Sequence, residues 1–329
     1  MRLVYYGTPA LAVPPLQRLH RDGRAPILVV TRPDKPSGRG LESGPSPVRR
    51  AAESLGLPVA TPERAGAADA LAQIRALSPD LLVVAAYGQI FPSTLLSVAR
   101  LGALNLHYSL LPRWRGAAPV QAAIVAGDSE TGVTTMWMTE GLDEGPIFRT
   151  RATPIERDED AGTLGARLAA LGSDCLAETL DRIERGEIER TAQDPARATL
   201  APKIRSEDAR LRLDEPASLL ARRVRAYTPE PGAYLALGSG RLLVLSAEAG
   251  DASGVPAAGG RTAPDLGSGA APGTILSVDP SRGLLIALAE GALWLRRVKP
   301  AGRREMGAAD YANGARLRRG SRLPLESTS

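Results

Sequence analysis

The sequence contains very few of the residues that bind metals or form disulfides. Among 329 residues there is one cysteine, Cys175, and there are two histidines, one of which is His107. A lone cysteine excludes an internal disulfide, and two histidines cannot supply the Cys/His cluster of a zinc site. We therefore expect no bound metal ion.

Long apolar runs are also missing. No stretch approaches the ~20 consecutive apolar residues that a membrane helix needs, and the opening Met1-Arg-Leu-Val-Tyr-Tyr-Gly is typical of a strand and not of a signal peptide. Hydrophobic residues make up 43% of the chain, which suits two globular domains at this length. These features predict a cytoplasmic protein.

Lysine is scarce, because all but three of the 41 basic residues are arginine. Residues 1–203 contain 23 basic and 23 acidic side chains, whereas residues 204–329 contain 18 basic and 13 acidic ones, so the net charge of +5 arises entirely in the second part. Residues 296–322 are its most basic stretch. Such a strip suits a nucleic acid, and an arginine-rich face exposed only to solvent would explain it almost as well.

Continuous apolar segments alternate with helical patterns in the first part of the chain. The predicted strands are residues 2–6, 25–31, 58–61, 80–86, 133–138 and 147–154, and the predicted helices are residues 10–21, 47–55, 67–77, 119–126 and 160–186. Apolar strands of this kind are buried on both faces, which predicts an α/β domain with a Rossmann-like, doubly wound, mostly parallel sheet. Gly7-Thr-Pro follows the first strand in place of Gly-x-Gly-x-x-Gly, which argues against a dinucleotide.

A second domain is predicted beyond a linker. The first domain covers residues 1–192, the linker covers residues 193–206, which lack periodicity, and the second domain covers residues 207–329, with a helix at 216–225. Its short strands, spaced as in a small β-barrel, are residues 233–237, 241–247, 273–278, 284–287 and 292–298. Residues 250–272 are rich in Gly, Ala, Pro and Ser and are expected to be a mobile insertion.

The residues with the clearest chemistry lie in two short stretches. Asn105 and His107 are two positions apart near the end of a short apolar strand, so they project from one face. Asp143 lies in Gly141-Leu-Asp-Glu-Gly145, a turn whose glycines allow a sharp bend. An amide, an imidazole and a carboxylate together suit a reaction in which negative charge develops on a carbonyl oxygen while a proton moves.

Other interpretations stay open on spacing alone. A histidine at a strand end is more often a hydrogen-bonded structural residue, Asn105 fits a turn, and Asp143 fits a loop cap. A Ser-His-Asp hydrolase would use Ser109 as its nucleophile, although no Gly-x-Ser-x-Gly elbow surrounds that serine.

A longer motif resembles the methionyl-tRNA formyltransferases. Asn105-x-His107 is followed by Ser109-Leu-Leu-Pro-Arg-Trp-Arg-Gly-Ala-Ala-Pro119, and Asp143 lies in Gly-Leu-Asp-x-Gly. The Asn, His and Asp are similar to the catalytic trio of the wider folate-dependent formyltransferases. The resemblance covers nearly the whole chain and implies transfer of a formyl group from 10-formyltetrahydrofolate, a co-substrate and not a bound cofactor, to methionyl initiator tRNA. Tyr108 departs from the family, which usually has a small residue there.

The same resemblance implies where the two substrates bind. The implied folate residues are Ser109, Leu110, Leu111, Pro112, Tyr87 and Gly88. The implied tRNA residues are Lys35 and Arg39 in the loop 32–40, and Arg303 and Arg304 in a C-terminal OB-like barrel. Residues 41–44, Leu-Glu-Ser-Gly, replace lysines that many relatives carry, so Arg39 has the larger expected role.

Three rival functions fit parts of the sequence. A formyltetrahydrofolate hydrolase would keep the trio but would not need an arginine-rich barrel. A noncatalytic RNA-binding protein would need the barrel and not the trio, and a sugar-nucleotide formyltransferase would not need the Arg39 loop. A monomer is expected, because nothing in the sequence indicates a dimerisation helix.

Overall fold

The chain forms two compact units. The computed structural model describes residues 1–36, 43–238, 240–250 and 270–326. Unit 1 comprises Met1–Val120, Ser129–Ile155 and Leu164–Lys203, and unit 2 comprises Gln121–Asp128, Glu156–Thr163 and the chain from Ile204 onward. The main boundary, after Lys203, falls inside the predicted linker 193–206. Residues 251–269 of the predicted insertion lie outside the described residues.

Unit 1 is built around a mixed sheet. Its strands are β1 (Leu3–Gly7), β2 (Leu28–Val30), β3 (Lys35–Pro36), β4 (Ser43–Gly44), β5 (Val59–Ala60), β6 (Leu81–Ala85), β7 (Ala103–His107), β8 (Arg115–Gly116), β9 (Glu130–Trp137), β10 (Ile147–Pro154) and β11 (Leu200–Ala201). Seven of them form one sheet in the order β10-β9-β7-β6-β1-β2-β5. β7, β6, β1, β2 and β5 run parallel, and β9 and β10 extend the sheet antiparallel.

The burial pattern distinguishes the parallel strands of this sheet from its antiparallel edge strand. Every residue of β1, β6 and β7 is buried, as expected for strands covered on both faces. β10 instead alternates between covered and exposed positions, which suits an edge strand with one wet face. The predicted α/β domain with a mostly parallel sheet and an antiparallel extension is therefore confirmed.

Helices follow the predicted positions closely. A 3₁₀ turn at Ala10–Ala12 leads into α1 (Val13–Arg21), and the next helices are α2 (Pro47–Ser54), α3 (Ala68–Ala76), α4 (Ser93–Leu96), α5 (Pro119–Ala126) and α6 (Ala161–Glu184). α2 begins at a proline whose predecessor, Ser46, accepts a hydrogen bond from the Arg49 N–H, a typical helix start. Cys175 of α6 is fully buried, and burial raises the pKa of its thiol to about 11. No helix in the described part of the chain combines the length and apolar composition needed to cross a membrane.

Unit 2 contains a separate antiparallel sheet. Its elements are α7 (Ala217–Ala226), β12 (Tyr234–Leu237), β13 (Gly240–Gly250), β14 (Ile275–Asp279), β15 (Gly283–Ala287), β16 (Ala292–Pro300), β17 (Met306–Gly307) and α8 (Ala308–Gly314). The strand order is β12-β13-β16-β15-β14, with β17 paired to β16. All five predicted strands of this part are present. The sequence analysis did not find the helices α4 and α8 or the short strands β3, β4, β8, β11 and β17.

Candidate active site

Strand β7 fixes two of the predicted catalytic side chains. Asn105 pairs with Val84 of β6 and Met136 of β9, so a strand lies on each side of it, whereas His107, at the end of β7, pairs with Thr134 of β9 alone. The two residues are only 9% and 5% exposed. They also lie at the carboxyl end of a parallel strand, where open α/β sheets bind their ligands.

The turn between β9 and β10 brings Asp143 to the same place. Its Oδ1 lies 3.4 Å from Asn105 Nδ2, and its Oδ2 lies 3.6 Å from His107 Nδ1. The Asp143 backbone has φ of +49°, a conformation that Asp tolerates better than most residues. The structure thus brings together the three residues that the sequence singled out, although Asp143 is 38 positions from Asn105.

Backbone groups of the next loop complete this cluster. The Gly116 N–H donates a 2.8 Å hydrogen bond to Asp143 Oδ2. The Trp114 carbonyl oxygen lies 2.9 Å from His107 Nε2, and because a carbonyl only accepts, Nε2 must carry a hydrogen atom. The other ring nitrogen, Nδ1, therefore faces the carboxylate and is the nitrogen that can gain or lose a proton.

Close contacts between backbone segments near Asp143 require glycine at two positions. A Cβ at Gly116 would lie 2.6 Å from the Ala201 carbonyl oxygen, and φ there is +119°. A Cβ at Gly145 would lie 1.9 Å from the Trp137 carbonyl oxygen. Any larger residue would displace the loop that supplies the Gly116 N–H or the turn that carries Asp143.

A segment that overlaps the first part of the predicted linker is bonded to both sides of the site. We call residues 189–201 the strap. The Trp137 indole N–H donates to the Glu189 carbonyl at 2.9 Å, and Thr191 and Ile147 exchange two backbone hydrogen bonds. Further along, Thr199 Oγ1 accepts from the Trp114 N–H at 2.9 Å. The strap ends in β11, which pairs in parallel with β8.

The strap also supplies a buried side chain that the sequence analysis missed. Gln193 is 9% exposed, and its Nε2 donates 2.8 Å hydrogen bonds to the carbonyl oxygens of both Asp143 and Gly145. Its Oε1 accepts from Nε and a terminal nitrogen of Arg115 at 3.1 and 2.9 Å. The segment lacks a periodic pattern, and no signal in it marks this glutamine.

The predicted folate residues flank the trio on two loops. Ser109 and Leu111 are buried and Leu110 and Pro112 are half-buried, directly after β7. Ser109 Oγ donates to the Arg113 carbonyl at 2.7 Å, and its backbone carbonyl accepts from Thr134 Oγ1 at 2.7 Å. Ser109 Oγ also reaches the Trp114 carbonyl at 3.4 Å, and His107 Nε2 is bonded to that carbonyl and not to the serine hydroxyl, so this arrangement does not support Ser109 as the nucleophile of a Ser-His-Asp hydrolase.

The second predicted folate loop follows β6. Tyr87 is buried, and its hydroxyl has no hydrogen-bond partner within the part of the chain that the structure describes. Burial raises the pKa of Tyr87 to about 12, with a smaller opposing effect from the Arg32 charge. Gly88 is exposed and has φ of +78°.

Tyr108, the departure from the family motif, is accommodated by the core. The residue is 3% exposed, and its hydroxyl donates a 3.0 Å hydrogen bond to the Leu11 carbonyl. The tyrosine therefore points away from solvent and leaves Asn105 and His107 in place.

The predicted tRNA residues are described to different extents. The backbone of Lys35 lies in β3, which pairs with β4, whereas Arg39 lies outside the described residues. Arg303 and Arg304 are exposed in the connection between β16 and β17 of unit 2. Over residues 1–36, 43–238, 240–250 and 270–326, no group of three or more His, Cys, Asp or Glu side chains is arranged to hold a metal ion.

Known proteins match both parts of the chain. The formyl transferase family matches residues 1–180, and the formyl transferase C-terminal domain matches residues 203–316. The chain is 49% identical to methionyl-tRNA formyltransferase of Halorhodospira halophila over 316 residues, which are 96% of this chain and 97% of that protein. It is 40% identical to methionyl-tRNA formyltransferase of Citrifermentans bemidjiense, over 100% of this chain and 98% of that protein.

A solved structure shares the fold. HypX from Aquifex aeolicus, crystallised in complex with tetrahydrofolic acid, is 16% identical with a TM-score of 0.62, and the match covers 100% of this chain and 50% of that one. At this identity the likeness concerns the fold alone. The sequence matches are much closer and extend over both units, and by them the chain belongs to the methionyl-tRNA formyltransferase family.

Proposed function

We propose that the protein transfers the formyl group of 10-formyltetrahydrofolate to the α-amino group of methionine on initiator tRNA, giving N-formylmethionyl-tRNA for translation initiation. The observation that carries the proposal is the convergence of Asn105, His107 and Asp143, with 3.4 and 3.6 Å between the carboxylate and the other two side chains. The names of the close relatives supply the substrates.

The chemistry needs an oxyanion site and a proton path. The neutral amine attacks the formyl carbon and the carbonyl oxygen becomes an oxyanion. The C–N bond to folate N10 then breaks as N10 takes up the proton that the amine loses. Asn105 Nδ2 and protonated His107 Nδ1 are the donors for the oxyanion. Asn105 Nδ2 has two hydrogens, so one remains for the substrate while the other faces Asp143 Oδ1 at 3.4 Å. His107 Nδ1 lies 3.6 Å from Asp143 Oδ2, beyond hydrogen-bond distance, so its hydrogen is available to the oxyanion.

Asp143 serves two purposes in this mechanism. Its Oδ2 lies 3.6 Å from Nδ1 and orients the His107 ring. Its Oδ2 accepts from the Gly116 N–H, and its Oδ1, 3.4 Å from Asn105 Nδ2, takes the proton that the amine loses and passes it, directly or through a water, to folate N10. The Trp114 carbonyl holds the ring by Nε2, so that only Nδ1 exchanges protons during the reaction.

We assign the folate site to the loops that follow β6 and β7. Leu110, Leu111 and Pro112 give an apolar wall directly after the His107 strand. Tyr87 adds a buried hydroxyl without a partner in the described residues, and a pterin ring with several donors and acceptors, or a water beside it, would satisfy that hydroxyl. Ser109 acts through its bonds to Arg113 and Thr134, which hold the loop.

We assign tRNA binding to Lys35 and Arg39 and to the basic strip of unit 2, with Arg303 and Arg304. In our proposal the unit 2 sheet is an OB-like barrel. Two features support closure: β13 bends at register shifts between Val244 and Ala247, and the C-terminal segment bridges to both edges of the sheet. These bridges join Leu325 to Leu237 of β12 and Arg322 to Thr274 beside β14.

We also propose that the enzyme acts as a monomer in the cytoplasm, where initiator tRNA is charged. The exposed large apolar side chains in the described ranges are single residues in separate stretches of sequence: Met1, Ile90, Leu142, Ile188 and Leu200. An obligate dimer interface would instead require a large contiguous apolar patch. Sedimentation at assay concentrations measures the oligomeric state, and a dimer would contradict this part of the proposal.

The decisive experiment supplies 10-formyltetrahydrofolate labelled in its formyl group together with one acceptor at a time. We expect label on methionyl initiator tRNA and none on uncharged tRNA. Free formate with no labelled methionine would indicate the hydrolase, and label on a nucleotide-linked amino sugar would indicate the sugar-nucleotide enzyme. RNA binding without turnover of any acceptor would indicate a noncatalytic RNA-binding protein.

A further inference from the structure

Gln193 satisfies a set of hydrogen bonds that only a carboxamide can make. Its Nε2 faces two carbonyl oxygens, those of Asp143 and Gly145, and both need a donor. Its Oε1 faces the Arg115 guanidinium, which needs an acceptor. A glutamate would have no hydrogen to donate, and an apolar side chain would do neither. The side chain is buried, so water cannot easily replace either partner.

The two partners of Gln193 lie on the two loops that surround His107. Asp143 and Gly145 belong to the turn after β9, and Arg115 belongs to β8, one residue from the Trp114 carbonyl that binds His107. The neighbouring Gly116 N–H bonds Asp143 directly. Gln193 therefore joins the loop that orients the imidazole to the turn that carries the carboxylate.

We propose that Gln193, held by Arg115, is a positioning residue that fixes Asp143 relative to His107 and Asn105 during formyl transfer. The inference rests on the proposed function and adds one side chain of the strap, Gln193, to the groups that position the site. Gln193 reaches the reaction only through the backbone of Asp143 and Gly145. A shift of about 1 Å in a catalytic group typically costs ~100-fold in rate.

The test compares Gln193→Leu with wild type in formylation of methionyl-tRNA. We expect kcat to fall by about 100-fold, with KM for folate and for tRNA changed by less than about twofold because the side chain does not contact substrate. Circular dichroism and thermal melting establish that the variant is folded. If it does not fold, Gln193→Asn keeps the amide but shortens its reach, and a smaller fall in kcat at unchanged KM is expected.

A double-mutant cycle separates positioning from a general structural role. Asp143→Asn keeps the backbone carbonyl that Gln193 binds but removes the carboxylate. If Gln193 acts through that carboxylate, adding Gln193→Leu to Asp143→Asn should lower kcat by less than about threefold. A second fall as large as the first would overturn the proposal, as would an unchanged kcat or an effect confined to KM in the single variant.

The neighbouring Asp194 provides a matched control within the strap. Its Oδ1 accepts from the Ala196 N–H and caps a 3₁₀ turn at Pro195–Arg197, with no bond to the Asp143 turn. Asp194→Ala should leave kcat and the pH–rate profile as in wild type, whereas Gln193→Leu should change the profile in the same direction as Asp143→Asn. Wild-type enzyme without formylation activity would instead contradict the proposed function, whatever the variants do.

Discussion

The proposed catalytic cluster of unit 1, Asn105, His107 and Asp143, and the basic strip of unit 2 differ in how their charged groups are held. His107 and Asp143 are mostly buried, and each is held by a backbone group of a neighbouring loop, the Trp114 carbonyl and the Gly116 N–H. The strip's Arg303, Arg304, Arg318 and Arg319 are exposed, and the described residues form no ion pair with them. Bond making needs groups fixed in advance, whereas attraction of a polyanion needs only charge and reach.

The strip itself is not uniform. Arg296 forms an ion pair with Glu248, and Arg297 forms one with Glu305 at 2.5 Å. The Arg296 guanidinium also lowers the pKa of the Glu248 carboxyl. Their carboxylate partners partly neutralise these two arginines, so they should attract RNA less than Arg303, Arg304, Arg318 and Arg319. Arg296 and Arg297 therefore serve as a control for the electrostatic effect of those four.

The largest effect should come from removing a donor in the catalytic cluster. Asn105→Ala and His107→Ala should each lower kcat by ~100 to 1000-fold, because these donors act as charge develops on the formyl oxygen. Binding of a folate analogue, measured by fluorescence or calorimetry, should change little. If either variant turns over at a rate close to that of wild type, the substituted residue does not take part in the mechanism.

Loss of the Asp143 charge should have a similar effect with the fold intact. Asp143→Asn keeps the shape of the turn and the acceptor for the Gly116 N–H but loses the carboxylate that takes up the amine proton. We expect a fall of at least ~100-fold in kcat and an altered pH–rate profile. A profile and kcat that match wild type would make Asp143 a turn residue only.

Neutralising the strip should affect affinity and its salt dependence but not chemistry. The quadruple substitution of Arg303, Arg304, Arg318 and Arg319 by Ser should reduce the slope of log affinity for tRNA against log salt by about 0.7 to 0.9 for each phosphate that these arginines neutralise. Filter binding at several salt concentrations measures this slope. The control, Arg296→Ser with Arg297→Ser, should change the slope less, and equal slopes in all three proteins would mean that the strip does not bind RNA.

Arg39 should have an intermediate effect that is confined to tRNA. Arg39→Ala removes one charged side chain and the charge-assisted hydrogen bonds that its guanidinium can make to the nucleic acid, so kcat/KM for methionyl-tRNA should fall at least about tenfold, while KM for folate stays constant. Steady-state kinetics with each substrate varied in turn distinguishes the two. An unaltered kcat/KM for tRNA would mean that Arg39 does not bind tRNA and that residues 32–40 only connect two elements of the fold.

The smallest effect concerns a surface carboxylate that takes no part in catalysis. Hydrogen bonds from the Arg2 backbone N–H and the Arg100 guanidinium lower the pKa of Asp80 below its unfolded value. Its contribution to stability is therefore present above the unfolded pKa and is lost as the pH falls through the lowered, folded one. Asp80→Asn should cost about 0.2 to 1 kcal/mol near neutral pH, and urea unfolding should show no difference well below pH 4.

Much of the fold and part of the site follow from local patterns. The period of two along a strand is sufficient to put Asn105 and His107 on one face, and continuous apolar segments are sufficient to predict buried parallel strands. The apolar spacing of α6 likewise predicts that Cys175 is buried. α8 was missed because Ala308–Gly314 is a short segment ending in Asn-Gly, which resembles a turn.

Only the tertiary structure decided which groups hold these residues in place. Asp143 meets Asn105 across 38 positions of sequence, and Gln193 reaches Asp143 across 50, through a segment with no periodic signal. The groups that orient the imidazole and the carboxylate, the Trp114 carbonyl and the Gly116 N–H, are backbone atoms common to every residue type. Side-chain chemistry and the alternation of side chains along a strand follow from the local sequence. The distance between two loops instead depends on how a seven-stranded sheet brings its strand ends together.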